Sequence, residues 1–309
     1  MHESFHNPPT VSIGMPVFNG AATIAQAICS ILSQTFEDWE LLIIDDGSQD
    51  KTFEIAASFS DPRIIVIHGE NKGLPVRLNE CVNRARGRFF ARMDQDDVAY
   101  PGRLKRQADF LESHAEVDLV AGWMVVFRDD GRAFGARRSP LTHEQICAHP
   151  WRGVHMAHPT WMGKTEWFRR NPYCADLPLV QDQELLIRTY RNSRFAAVPE
   201  IVLGYRENSL SVGKLLRTRS DACKMMIRFA REQRRFVSGA RNVAVLLAKG
   251  MVDAIAVYSG LNYRILRHRA ETILPDEERE WRSVWQAVWS ATDTCRIESS
   301  GLDANHSVG

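Results

Sequence analysis

The sequence predicts an α/β protein: a mostly parallel, doubly wound sheet followed by a helical C-terminal extension. Three observations predict it. Short apolar runs alternate with amphipathic stretches over the first hundred residues. One of those runs, Glu40–Ile44 (ELLII), is apolar without a polar alternation, as a strand covered on both faces is. Beyond Lys214 the strand pattern disappears and helical periodicity lasts nearly to the end.

The elements follow in order. Thr10–Val17 reads as the first strand, and Ala21–Gln34 as a helix with its apolar stripe at Ile24, Ala27, Ile28, Ile31 and Leu32. ELLII is the second strand, and Thr52–Phe59 the next helix, with Ser48 or Asp50 placed to cap it. Arg63–His68 (RIIVIH) is the third strand, Leu74–Arg86 the third helix and Gly87–Met93 the fourth strand. Strands alternating with helices of this length build a parallel sheet. The run DLVAGWMVVF (118–127) is a further strand before an Asp129-Asp130-Gly131 turn. The segment from His155 to Arg170 is aromatic and rich in turn residues. Gln183–Arg191 can be helical, and Ile201–Tyr205 is a short strand. Helices return after Lys214, with Pro275 as a break. The expected domains are therefore 8–213 and 214–309.

Composition excludes several classes. The net charge of +1 over 309 residues excludes a polyanion binder on global charge, so no nucleic-acid partner is expected. The charge is uneven, however. Lys214 to Arg269 holds thirteen Lys and Arg against three acids, an excess of ten. Six scattered cysteines, with no CxxC, argue against a zinc ribbon or a disulfide scaffold and suit a reducing compartment. The opening MHESFHNPPT lacks the basic and apolar regions of a signal peptide. No apolar stretch approaches the ~20 residues of a membrane span. A cytoplasmic protein is expected.

Acids gather where ligands bind. In open α/β sheets ligands collect at the carboxyl ends of the strands. There the chain places Pro16-Val17-Phe18-Asn19-Gly20, then Asp45-Asp46-Gly47-Ser48, then Asp94-Gln95-Asp96-Asp97. A single acidic pair after a strand is an ordinary turn. Two clusters converging on one rim repel each other unless a cation sits among them, and a hard divalent ion with oxygen ligands resolves that repulsion.

These segments, PVFN, IIDDGSQDKT, ENKGLPVRLN and ARGRFFARMDQDD followed by PGRL, resemble the family 2 glycosyltransferases, enzymes of the GT-A fold. The likeness runs from Val11 to about Arg106 and resumes at Val180–Leu185 and Tyr205–Ser211. It implies a metal-dependent, inverting transfer of sugar from a nucleotide-sugar, a UDP-sugar above all, to an acceptor hydroxyl. It implies that Pro16, Val17 and Asn19 lie around the nucleotide base and that Asp46 accepts a hydrogen bond from it. Arg77 would reach the donor's ribose or phosphate side. Asp94 would meet the ribose or help hold the metal site, and Asp96 would coordinate Mn²⁺ or Mg²⁺. Asp182 would be the general base. Two departures stand out: Gln181 precedes Asp182 where the family has Glu, and Asn208 replaces a common His. The resemblance also implies a glycan or lipid-linked acceptor and a role in polysaccharide or lipid-linked glycan synthesis. Contact with the inner membrane face through the basic C-terminal helices is the functional reading of that charge excess; an ordinary helical subdomain with a solvated basic face is the other.

Other classes fit less well. A sugar nucleotidyltransferase needs a Gly-rich, basic loop after the first strand, and a dinucleotide enzyme needs GxGxxG there; MPVFNGAAT is neither. A non-catalytic, nucleotide-binding relative is opposed by Asp46, Asp94, Asp96 and Asp182. His155 and His158 do not form a metal-binding helical pair, since Pro159 follows the second. Trp151, Trp161 and Trp167 could stack on a sugar or pack as a lid. Trp281, Trp285 and Trp289 make one helical stripe suited to core packing.

Overall fold

The computed structural model describes residues 7–207, 212–259 and 270–304. Its first half follows the sequence pattern closely. Strands β1 (Val11–Val17), β2 (Trp39–Asp45), β3 (Ile64–His68) and β4 (Phe89–Arg92) pair in parallel in the spatial order β3-β2-β1-β4. Helices α1 (Ile24–Leu32), α2 (Thr52–Ala57) and α3 (Leu74–Arg84) connect them. Every residue of β1, β2 and β4 is buried, which explains runs without alternation: both faces of the sheet are covered. The N-cap residue of α2 is Lys51, not Ser48 or Asp50 as expected; Asp50 Oδ1 accepts instead from the amide of Thr52, the first helical residue, at 3.0 Å.

Beyond β4 the sheet becomes mixed. Strand β8 (Met162–Lys164) lies antiparallel between β4 and β6 (Leu119–Phe127). Next to β6 runs β9 (Phe195–Arg206), in parallel, with β5 (Val98–Ala99) antiparallel at its far edge. Strand β7 (Ala133–Arg137) pairs antiparallel with β6. The parallel expectation thus holds for β3-β2-β1-β4 and for β6-β9, while the short strands β5, β7 and β8 join in the opposite sense. β9 is twelve residues long, not the five expected, because its register shifts where Pro199 and Glu200 turn outward and pairing then resumes.

Helix α4 (Arg103–Ser113) packs with α1 on one face of the sheet, around Ile28, Leu104 and Leu111. The other face is covered by α3, α6 (Thr165–Arg170), α7 (Gln181–Thr189) and α8 (Val212–Glu232), around Leu78, Phe168, Leu185 and Met225. The one-turn helix α5 (His143–Ile146) starts with a Thr142 capping box. Helix α9 (Phe236–Tyr258) lies along α8. Pro275, expected to break a helix, begins one instead: it is the first residue of α10 (Pro275–Ala304), where a missing N–H costs nothing.

The tryptophan stripe on α10 packs as expected. Trp281 is fully buried beside Tyr100 and Phe127, and its Nε1–H donates to the Gly131 carbonyl at 2.8 Å. Trp285 stands next to Phe127, 5.3 Å between ring centres, and Trp289 is 45% exposed. The boundary expected near 214 falls in the first turn of α8, and α8 and α10 both contribute side chains to the core.

Candidate active site

The ends of β1, β2 and β4 and the starts of α3 and α7 line a cavity of about 620 Å³. Pro16, Val17, Asp46, Arg77, Asp94, Asp96 and Asp182 all line it. Of the residues picked out from the sequence, Asn19 alone lies outside the lining. It adopts a left-handed conformation (φ 49°), donates its amide to Ser48 Oγ and accepts from the Gln49 amide, each at 2.9 Å. Asn19 therefore fixes the loop after β1 against the loop after β2.

Asp46 is held from three sides. Its Oδ1 accepts from the Lys72 amide at 2.7 Å and from Arg77 Nε at 2.8 Å, and its Oδ2 from the Gly73 amide at 2.8 Å. A carboxylate has about four acceptor positions, so roughly one remains for a ligand N–H. Each of the other two Arg77 nitrogens also has a partner: Nη1 donates to Glu80 at 2.6 Å and Nη2 to the Glu70 carbonyl. Arg77 thus orients Asp46 while lining the cavity.

The acid loop after β4 is tied to the β1 loop by Gln95, the middle residue of Asp94-Gln95-Asp96. Its Oε1 accepts from the Phe18 amide at 2.7 Å and its Nε2 donates to the Phe18 carbonyl at 3.0 Å. One carboxylate oxygen from each of Asp94, Asp96 and Asp97 lies within 4.8 Å of the others. Burial and the neighbouring Asp94 push the Asp96 carboxyl up to about 6. Asp97 is pushed well above the ordinary range by burial, then by Asp94 and Asp96. Asp97 Oδ1 accepts from the Arg206 amide at 3.0 Å, while its buried Oδ2 has no partner. Three crowded carboxylates, one of them with an unpartnered buried oxygen, fit a divalent cation with oxygen ligands.

Sequence reading missed Arg92. Its side chain is buried, ion-paired through Nη2 with Asp94, and lines the cavity. Nε and Nη1 are buried without partners. Burial opposes its charge, but Asp94, Tyr173 and Asp97 hold the guanidinium above its ordinary pKa. The signal was present: one arginine inside the apolar run Phe89-Phe90-Ala91-Arg92-Met93.

Asp182 sits in the first turn of α7 and faces the same cavity, and burial raises its carboxyl. Its neighbour Gln181 is buried, with Oε1 unpartnered. His158 is also buried; its Nε2 lies 3.1 Å from the Tyr173 hydroxyl. Burial, then Arg92, hold its imidazole well below the ordinary range, so it is neutral. His155 is exposed, which separates the two histidines. Trp161 and Trp167 are core residues, and Trp151 packs on Phe229 with 4.6 Å between ring centres; none lines the cavity. The stretch Asn208–Ser211 lies outside the described residues.

The backbone has solved counterparts. S. aureus TarS 1-349 superposes with a TM-score of 0.59 at 18% identity, over 92% of this chain and 81% of that one. The same fragment in complex with UDP-GlcNAc gives a TM-score of 0.58 at 16% identity, over 92% and 81%. The curled α/β sheet, with acids gathered on the rim of its parallel half, is the GT-A fold. Sequence comparison is narrower. Residues 12–171 match the model of Glycosyl transferase family 2. A Bacillus subtilis relative carrying a glycosyltransferase name, EpsE, is 39% identical over 166 residues, covering 52% of this chain and 58% of that protein. The uncharacterized glycosyltransferase MJ1057 of Methanocaldococcus jannaschii is 30% identical over 205 residues, covering 64% and 71%. The chain belongs to glycosyl transferase family 2. It spans little more than half the length of the EpsE relative.

Proposed function

We propose that the chain is a metal-dependent, inverting glycosyltransferase that moves a sugar from a UDP-sugar to an acceptor hydroxyl in the synthesis of a polysaccharide or lipid-linked glycan. One observation carries this reading: Asp46, the Asp94–Asp96 pair and Asp182, from three separate elements, line one cavity. The TarS fragment with UDP-GlcNAc shares the fold, which supports the donor class.

In this reading Pro16 and Val17 form the wall beside the base, and the remaining acceptor position of Asp46 takes the base N–H. Asn19 and Arg77 hold that wall and that carboxylate in place. Arg92 lines the same cavity, ion-paired to Asp94, and places a positive charge beside the donor's diphosphate. Asp96, with Asp94, would hold Mn²⁺ or Mg²⁺. Such an ion, when bound, acts as a Lewis acid that neutralises charge on the departing diphosphate. Asp182 accepts the acceptor's hydroxyl proton as that oxygen bonds to the anomeric carbon. The bond from that carbon to the diphosphate oxygen breaks, and its electron pair leaves with the nucleotide. One base and a single in-line displacement give inversion, unlike the paired carboxylates of retaining glycosidases.

Among the described residues no helix is long and apolar enough to cross a membrane. A cytoplasmic enzyme, peripheral at the inner membrane face, fits the basic α8 and α9.

The test is a thermal-shift panel of UDP-, GDP-, CMP- and dTDP-sugars, each with Mn²⁺, Mg²⁺ or EDTA. A ligand at 100 times its Kd adds ~2.7 kcal/mol of stability. A shift with UDP-sugars that EDTA abolishes is expected. No shift with any donor would overturn the reading.

A further inference from the structure

A second cavity, of about 820 Å³, lies between α8, α9, the start of α7 and the loop before β8. Its floor is apolar, with Met225 and Met226 from α8 and Val245 and Leu246 from α9. Its rim is cationic: Arg152, Arg219, Arg235, Arg241 and Lys249. Among the described residues no Asp or Glu lines it, and Arg152, Arg235 and Arg241 have no carboxylate partner there. Like charges gathered at one rim repel one another, so an anion bound among them lowers that cost. The apolar surface continues outward, since Val245 is 44% exposed and Val252, about two turns further along α9, is 66% exposed.

The two cavities share a wall. Gln181 and Asp182 face the first, and Val180 and Gln183 face the second. In the loop before β8, Met156 to Pro159 face the first, and Gly153 and His155 the second. Gln183 bolts the wall together: its Oε1 accepts from the Val154 amide and its Nε2 donates to the Val154 carbonyl, each at 3.0 Å. The second cavity therefore abuts the proposed base on the side away from the donor.

A cationic rim above an apolar floor is complementary to a phosphate or diphosphate headgroup joined to a hydrocarbon chain, and the volume is that of a small-molecule site. We infer that this cavity holds the lipid-phosphate end of the acceptor. The inference rests on the glycosyltransferase reading for the word acceptor, but not for the binding itself.

Binding is measured by calorimetry on the full chain, with farnesyl diphosphate as the probe. Farnesol, inorganic diphosphate and phosphatidylglycerol vesicles are the controls. Farnesyl diphosphate should bind at least tenfold more tightly than farnesol or inorganic diphosphate. The double variant Arg241→Ala/Lys249→Ala should weaken it at least tenfold, and Val245→Asp should do so without removing a cation. UDP binding, measured alongside, should be unchanged in both variants. Its absence from the wild type would count against the donor reading alone. Three results overturn the inference: inorganic diphosphate binding as tightly as the prenyl compound, both variants binding like wild type, or vesicles being bound while farnesyl diphosphate is not.

Discussion

Replacing Arg92 with Met removes a buried cation that is ion-paired to the acid loop while nearly preserving side-chain volume. Arg92 is 4% exposed, and its partner Asp94 lies in the cluster with Asp96 and Asp97. Breaking a buried pair from one side costs about 3–5 kcal/mol, because the remaining charge loses its counter-ion. The arginine also carries two buried nitrogens without partners, Nε and Nη1. Removing them returns about 1 kcal/mol each at the low end of the range for unsatisfied donors. The net expectation for Arg92→Met is a loss of roughly 1–3 kcal/mol in EDTA. Arg92→Lys, which keeps the charge but not the fork, should lose less. Urea denaturation followed by tryptophan fluorescence reads both. Millimolar Mn²⁺ should stabilise Arg92→Met more than wild type, since the ion restores positive charge to the same carboxylates. An Arg92→Met protein as stable as wild type in EDTA would refute the counter-ion argument.

Three further outcomes are expected. Asp182→Asn should retain UDP-sugar binding and lose about 10²–10⁴-fold in turnover, the usual contribution of a general base; product formation under saturating donor checks it. Asp96 is raised from 3.8 to about 6, so the folded state holds a proton that the unfolded chain has released. Its contribution to metal-free stability is therefore lost as pH rises from about 4 to 6, and Mn²⁺ affinity should climb over the same approach to pH 6. Urea midpoints in EDTA and Mn²⁺ titrations at pH 5 and 7 test the two halves. Trp281→Ala should cost about 3–5 kcal/mol, as large aromatic truncations in cores do, and a loss under 1 kcal/mol would show that α10 is not seated as described.

The first four strands and the rim acids were legible because their signals are local. A strand buried on both faces is apolar throughout, and loops at its carboxyl end carry the polar groups. Arg92 was not legible, since a charge within an apolar run has meaning only once Asp94 and the surrounding residues are placed around it. β5 and β8, two and three residues long, are too short to show a period. The strand expected at Ile201–Tyr205 lacks its first half because the irregularity at Pro199-Glu200 shows only in the pairing with β6. The second cavity could not be read from the chain, because Arg152 and Arg241 are 89 residues apart and meet only through the packing of α9 on the loop before β8.

Arg206 gives the acid loop a reach beyond its own neighbourhood. Its amide holds Asp97, its Nε donates to the Asp96 carbonyl at 2.8 Å, and its Nη2 donates to Gln26 at 2.6 Å. The same guanidinium lies 4.8 Å from the ring centre of Phe127 and 5.6 Å from that of Trp285 on α10. One side chain thus bridges α1, the acids and the far C-terminal helix. Substitutions near the carboxyl end can therefore change how the acids are spaced without touching them, and sequence drift in α10 becomes a means of retuning the site from behind.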